Sequence, residues 1–457
     1  FPFSGLSQVK YDWKPLPDVK AIKSYSDQFP AQVKKHPPDP APPMIREVYL
    51  DEQPEFVTSI QPDLLSRLHF EAYELTLDQR IDIPNGMVFK DISNSNIKYL
   101  DQAHGLLTND ISVIVEDKDG LIYLGSSKGL LVFNGKELSV YQGNAAFSLT
   151  GIRSLWFDAE GKLWVATDIN ICYIQNEKIF VPEMDFGPTH LQGFSESSAT
   201  GEFFIFTVYH GLFILKEGQM YQYNAGLPTP HVSCAIRTDD GRLWLAFGNS
   251  GFGYIQKDSL FMYKREGIEN SPRSLLEVGG ELWLGQFRGK LMKHRNDSLF
   301  NVLLNDRRRH HIYSFAPNEQ GLWFPDYAEG VYLIKKNGEY DFIGEEHGLN
   351  GRVSFTLMAD SFENIWVADA GNGISRIDEL AFRPTRKFVS NHGIFQIEPD
   401  AYGNSWYFMN GGGLISESEV GYVEYLNSDR YSTSGAVSGD SVWISSETLG
   451  LTLLKDG

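Results

Sequence analysis

A beat of aromatic residues about forty positions apart constrains this chain more than any other feature. Tyr123, Trp164, Phe204, Trp244, Trp283, Trp323, Trp366, Trp406 and Trp443 follow one another at spacings of 41, 40, 40, 39, 40, 43, 40 and 37. Seven of the nine tryptophans fall on it. A period of about 20 to 50 residues marks an array of supersecondary units, none of which can bury its hydrophobic faces alone.

Glycine punctuates the same beat. It stands three residues before the anchor in six repeats (Gly120, Gly161, Gly201, Gly241, Gly280, Gly403) and six or seven after it in eight (Gly129, Gly211, Gly251, Gly289, Gly330, Gly373, Gly413, Gly450). The remaining repeat has Asn170, which tolerates a left-handed backbone. Between these points lie short alternating or apolar runs bounded by Asp-Gly turns. The first full repeat reads as four strands, "ISVIVED", "LIYLGS", "GLLVFN" and "LSVYQ". An isolated four-stranded meander leaves both faces wet, whereas copies stacked face to face around an axis bury them. The fold class is therefore all-β, a propeller of four-stranded antiparallel blades whose aromatic anchors pack one blade on the next.

The stretches Gly105 to Leu130 and Gly226 to Gly251 carry the unit GL-x(3)-N/D-x-strand-D-x-x-G-x-L-W-[LV]-[GA]-x(4)-GL most clearly. This unit resembles the two-component regulator propeller repeat, over about residues 97 to 457. The early glycine is missing from the repeats anchored at Trp323, Trp366 and Trp443. The resemblance implies a periplasmic or extracellular sensor propeller that binds an oligosaccharide or other small ligand and signals to a downstream kinase or protein partner.

Nine anchors favour a single nine-bladed ring over residues 85–457. The last repeat lacks its outer strand, and "IKYLDQAHGL" (Ile97 to Leu106) matches "YDFIGEEHGL" (Tyr340 to Leu349), so residues 97–101 are expected to supply that strand and close the last blade. "NGMVFKD" (Asn85 to Asp91) competes for the same slot, and the alternative is a longer chain whose repeats divide between two propellers. Residues 1–84 hold 12 of the 21 prolines and no propeller period, which reads as an extended arm over the propeller or a partner-binding tail.

A formal net charge of −19 disfavours nucleic acid as a partner, and no apolar run approaches the roughly 20 residues of a membrane helix. Cys172 and Cys234 lie in apolar strand-like runs of different repeats and read as buried free thiols.

Ligand contacts are expected on the face where the second-to-third and fourth-to-first loops emerge, around the channel mouth. Tyr209, Phe247, Phe287 and Tyr327 put aromatics in four successive loops, beside His210, Asn249, Arg288 and Asp326, as suits sugar rings. "NDRRRHH" (Asn305 to His311) adds Arg308 and His310, which could grip carboxylate or sulfate groups. His392 and Asn410 complete the candidate set. The histidines lack metal-ligand spacing and the Asp-Gly turns lack the further acids of a calcium loop, so no metal, cofactor or catalytic set is assigned. A sensor or binding propeller is favoured. The alternatives are a polysaccharide lyase recruiting residues such as Tyr209, His210 and Arg308, and a protein-interaction scaffold of a surface or export assembly.

Overall fold

A computed structural model of the protein describes residues 32–36 and 43–455, apart from 90–96, 145–146, 169, 184–190, 264–271, 305–310, 328, 352–353, 370, 379–393, 400–404, 410–413, 419–420, 427–431, 439–440 and 447–449. The chain divides into two compact units, one spanning Pro42–Pro384 and the other joining Phe1–Ala41 to Thr385–Gly457.

The repeat is built from its turn outward. In the Trp164 repeat Asp158 opens the turn between the first two strands. Its Oδ1 accepts the backbone N–H of Glu160 at 3.0 Å and of Lys162 at 2.9 Å, and its Oδ2 accepts the indole N–H of Trp164 at 2.8 Å. Asp360 does the same for Phe362, Asn364 and Trp366, and Asn318 for Gln320, Gly321 and Trp323. One side chain thus satisfies the turn's donors and fixes the anchor ring, which is why the acid, the turn and the tryptophan recur together. In the Trp164 and Trp366 turns the residue three before the anchor is left-handed: Gly161 has φ +76°, and Glu363 takes φ +66° where the glycine is missing.

Seven sheets of this kind make up the larger unit, with anchors Tyr123, Trp164, Phe204, Trp244, Trp283, Trp323 and Trp366; they are numbered here blades 1 to 7. Each packs on the next through a shared apolar cluster. Trp164 of blade 2, for example, stacks on Phe203 of blade 3 with ring centroids 4.7 Å apart. The last blade packs on the first, with Trp366, Ala368 and Ile374 buried beside Ile111, Ile114 and Leu131, so the seven form a closed propeller. Serine hydroxyls of innermost strands also reach the carbonyl of the following blade, Ser112 to Ile152 and Ser233 to Pro272.

The closing strand is Ile97–Leu100, which pairs with Gly373–Ile377 as the fourth strand of blade 7. The repeat spacing instead assigns this strand to the last blade of a nine-bladed ring. The N-terminal strand closes the seventh blade, not the ninth, and the Trp406 and Trp443 repeats fall in the other unit. Val88–Phe89, within the stretch that competed for the slot, pairs outside Ile97–Leu100 as a fifth strand. The matching "AHGL" and "EHGL" segments both form short 3-10 turns, Gln102–His104 and Glu345–His347, ended by a left-handed glycine.

Residues 44–82 give the other blades an added outer partner. Met44 bridges to Glu339 of blade 6, Arg46–Leu50 pairs with blade 5, Glu55–Ser59 with blade 4, Asp63–Arg67 with blade 3, Phe70–Glu74 with blade 2 and Gln79–Asp82 with blade 1. The segment runs round the propeller against the blade order, crosses the closing seam and covers the open sheet edges. Beside these strands apolar residues plug five of the seven gaps between blades. Ile45, Ile60, Leu68, Leu75 and Ile83 pack into five different inter-blade clusters, and each donates its backbone N–H to the third-to-fourth turn of a blade, on Gly338, Asp258, Gly218, Glu177 and Lys136 respectively. Glu47 adds a charged clasp, accepting from Lys293, which is only 4 % exposed, and from Arg295 at 3.0 Å; both cations are shared with Glu281.

In the second unit Gln32–His36 pairs with Gly421–Leu426 as the outer strand of the Trp406 sheet, and the Trp443 repeat forms a three-stranded sheet. Phe408, Leu414 and Val442 form its core. Trp443 is 37 % exposed, whereas Trp164, Trp244, Trp323 and Trp366 are buried. Cys172 and Cys234 are free and buried, and burial raises both thiol pKa values, that of Cys234 to about 12.

Candidate functional site

A bulge recurs at the start of the innermost strands of the larger unit. In blade 5 Pro272 pairs with Gln286 and Ser274 with Gly285, so Arg273 is the extra residue. Arg153 stands between Ile152 and Ser154 in blade 2, and Gln192 between Leu191 and Gly193 in blade 3. A bulge re-aims the side chain it frees from the ladder. Pro272 and Ser274 are buried while Arg273 is half-exposed; Ile152 is buried and Arg153 exposed. Counted from the residue that pairs with the anchor (Leu276 with Trp283, Ala316 with Trp323), Tyr313 holds in blade 6 the place of Arg273.

The second-to-third loops beside these bulges are held by a polar residue three places after the anchor. Thr207 bonds through Oγ1 to the Gly211 carbonyl and the His210 N–H, Gln286 accepts from Lys290 N–H at 2.8 Å, and Asp326 accepts from His311 N–H at 2.9 Å. All three are buried, so the loop tips are carried on fixed bases.

Blades 5 and 6 bring four rings together at these loops. Phe287 meets His311 edge-on at 5.0 Å and Tyr313 at 5.8 Å, and Tyr327 stacks on His311 at 5.7 Å and lies 6.3 Å from Tyr313. The Arg288 guanidinium sits 5.2 Å over Phe287, on a loop tip whose φ is +51°. Burial raises the Tyr313 phenol pKa; Tyr327 adds to that, and Arg273 and Arg288 oppose it. The nearby His231 imidazole is held below its usual value by burial and by Arg273. All four rings are half-buried, so they offer edges and faces to solvent while staying packed.

The structure therefore joins Phe287, Arg288 and Tyr327 of the sequence candidates in one cluster, with the Asp326 carboxylate accepting the backbone N–H of His311 from the preceding connection. Tyr209 is 54 % exposed on its own loop; His210 neighbours it, with its backbone N–H and carbonyl engaged, and Asn249 is exposed at the blade 4 loop tip. Phe247 is a correction. It is fully buried in the inter-blade core, because it occupies the inward place that Thr207 and Gln286 take in their blades, and it presents no face to a ligand. Arg308, His310, His392 and Asn410 lie outside the described residues. Arg273, His311 and Tyr313 were not among the candidates; the first and third stand ten residues before their anchors, a spacing available in the sequence. Among the described residues no group of His, Cys, Asp and Glu could hold a metal ion. Nor is any described helix long and apolar enough to cross a membrane.

No family model matches the sequence, and no curated protein matches it. Solved structures do. The extracellular domain of the hybrid two component system BT3049 from B. thetaiotaomicron aligns with a TM-score of 0.63 at 19 % identity, over 79 % of this chain and 53 % of that one. The corresponding domain of BT4673 from the same organism gives 0.51 at 19 % identity, over 78 % and 51 %. A catalytically inactive virginiamycin B lyase from Staphylococcus aureus, solved with quinupristin, gives 0.51 at 14 % identity, over 62 % and 99 %. The chain thus spans about half the length of the two-component domains it matches. At these identities the likeness establishes the fold, and the extracellular domains among the matches are of the kind that the repeat resembles.

Proposed function

We propose that this chain is the ligand-sensing part of an extracytoplasmic receptor, which binds carbohydrate at the mouth of its seven-bladed propeller and passes the signal to a downstream protein or domain. The carrying observation is the ring cluster of Phe287, His311, Tyr313 and Tyr327, set on rigid loops of adjacent blades with polar groups around it. Such rings accept the C–H faces of sugars while hydroxyls meet neighbouring donors and acceptors. The likeness to extracellular two-component domains supports the sensor role and the location. In the same reading the Trp406 and Trp443 repeats belong to a second propeller, which the exposure of Trp443 favours.

The test is a thermal-shift screen against neutral and acidic oligosaccharides, with ultraviolet absorbance of unsaturated products followed in the same wells. A binding sugar at 100 times its Kd stabilises the native state by about 2.7 kcal/mol. That stabilisation should be lost in Tyr327→Ala. Silence across the panel would sink the carbohydrate reading, and new absorbance would make the protein a lyase.

A further inference from the structure

The repeats let one position be compared across blades. In blade 2 the bulged Arg153 pairs with Asp168, which stands four residues after the anchor Trp164. In blade 5 the bulge again carries an arginine, Arg273, but the residue four after the anchor Trp283 is Phe287. In blade 6 the same two places hold Tyr313 and Tyr327, 6.3 Å apart. The scaffold that neutralises Arg153 from within its own blade therefore gives Arg273 a ring instead of a carboxylate.

Arg273 stands out among the half-buried cations of this unit. Arg237 is paired with Glu202, Arg242 with Asp297 and Arg376 with Asp378, whereas among the described residues no carboxylate pairs with Arg273. Its backbone is fixed on both sides. The Pro272 carbonyl accepts the Ser233 hydroxyl at 2.9 Å from the preceding blade, and Pro272 and Ser274 are both buried. Arg288 brings a second guanidinium to the same rings, 5.2 Å over Phe287, and Phe287 lies 5.8 Å from Tyr313.

We infer that Arg273 and Arg288 form an anion subsite beside the Phe287, Tyr313 and Tyr327 rings, which takes the carboxylate of a uronic-acid residue in an oligosaccharide. The choice of sugar acid rests on the carbohydrate reading above; the anion subsite does not. A guanidinium presents parallel N–H donors that match a carboxylate bidentately, and a ring beside it supports the pyranose that carries the acid. A sulfate ion shares the acceptor geometry and serves as a probe without a sugar.

The experiment titrates the full chain with oligogalacturonate, with the same oligomer fully methyl-esterified, with a neutral oligosaccharide and with sodium sulfate, by calorimetry and thermal shift. The proteins are the wild type, Arg273→Gln, Arg273→Lys and, as the matched control, Arg153→Gln. The wild type should bind the acid at least tenfold more tightly than the ester. Arg273→Gln should lose that preference and the sulfate-induced stabilisation, Arg273→Lys should keep part of both, and Arg153→Gln should keep all. If Arg273→Gln fails to fold, the comparison of acid with ester on the wild type and the lysine variant still decides. Equal binding of acid, ester and neutral sugar would overturn the anion subsite and leave the carbohydrate reading standing. A sulfate response that depends on Arg273, with no sugar bound, would do the reverse. Sulfate and uronate without effect on the wild type, or an effect that Arg273→Gln retains, would overturn the inference.

Discussion

Replacing Ile83 by alanine tests whether the apolar plugs hold the encircling segment in place. Ile83 is 1 % exposed, packs among Leu100, Leu106 and Ile111 at the seam between blades 7 and 1, and donates its N–H to the Lys136 carbonyl at 2.7 Å. The substitution removes three carbons, about 2.4 kcal/mol at roughly 0.8 kcal/mol each, and the cavity left in a seam of fixed strands brings the cost to about 3 kcal/mol. The main chain and its hydrogen bonds are untouched, so the loss should appear as easier local opening of the strand Gln79–Asp82. Native-state hydrogen exchange reads this directly. Amides of that strand should exchange about 100-fold faster, since each 1.4 kcal/mol is tenfold, while those of Asp63–Arg67 on blade 3 change little. Val57→Ala, on the exposed side of the segment, is the control and should change its own strand less than threefold, as surface substitutions usually cost under about 0.5 kcal/mol. A change below threefold in Ile83→Ala would refute the reasoning, and the ladder hydrogen bonds alone would then be holding the segment.

Two further outcomes follow from buried polar groups. Asp360→Ala removes the acceptor of two turn amides, the Asn364 amide and the Trp366 indole, and denaturant titration should show a loss of about 2 to 3 kcal/mol or a separate early transition of blade 7. His294, packed against Trp244 at 4.8 Å, has its pKa lowered to about 4, first by burial and then by Arg242, so the unfolded chain takes up the proton before the folded one. Stability is then whole above about pH 6.5 and falls as the pH drops towards 4, by up to about 3 kcal/mol, and His294→Phe should flatten that part of the pH–stability curve.

The sequence made the blade legible because turn, anchor and strand alternation are local and repeat nine times. It did not reveal where the ring closes. Every anchor looks alike, and closure depends on which third strand takes Ile97–Leu100 as its partner. A sign of it lies after Ile377, where "DELAFRPTRKF" lacks the alternation of a fourth strand such as "ELSVY". The arm carried a weaker rhythm still: Ile60, Leu68, Leu75 and Ile83 recur at intervals of 8, 7 and 8 residues, set by the distance between blade edges and not by any helix or strand period. At the site, loop aromatics such as Phe287 and Tyr327 could be read from their place beyond the anchor. Arg273 and Tyr313 carry only their shared distance of ten residues before the anchor as a sign, because a bulge breaks strand alternation and its residues look, in sequence, like ordinary strand residues. Phe247 misled for a related reason, since the place three after the anchor faces inward whatever residue fills it.

The direction of the encircling segment bears on the order in which the protein can assemble. Its residues are synthesised before any blade, yet the carbonyl that receives the Ile45 amide belongs to Gly338, 293 positions downstream (338 − 45), and the seam that Ile83 fills needs the Trp366 repeat. Contacts this distant in sequence form slowly, and apolar groups awaiting them stay open to aggregation. The blades can stack one after another as they are made, but the N-terminal segment can be wound on only after the ring has met itself. A segment made before the blades is thus the last to find its place, and for that interval its five apolar plugs have nothing to fill.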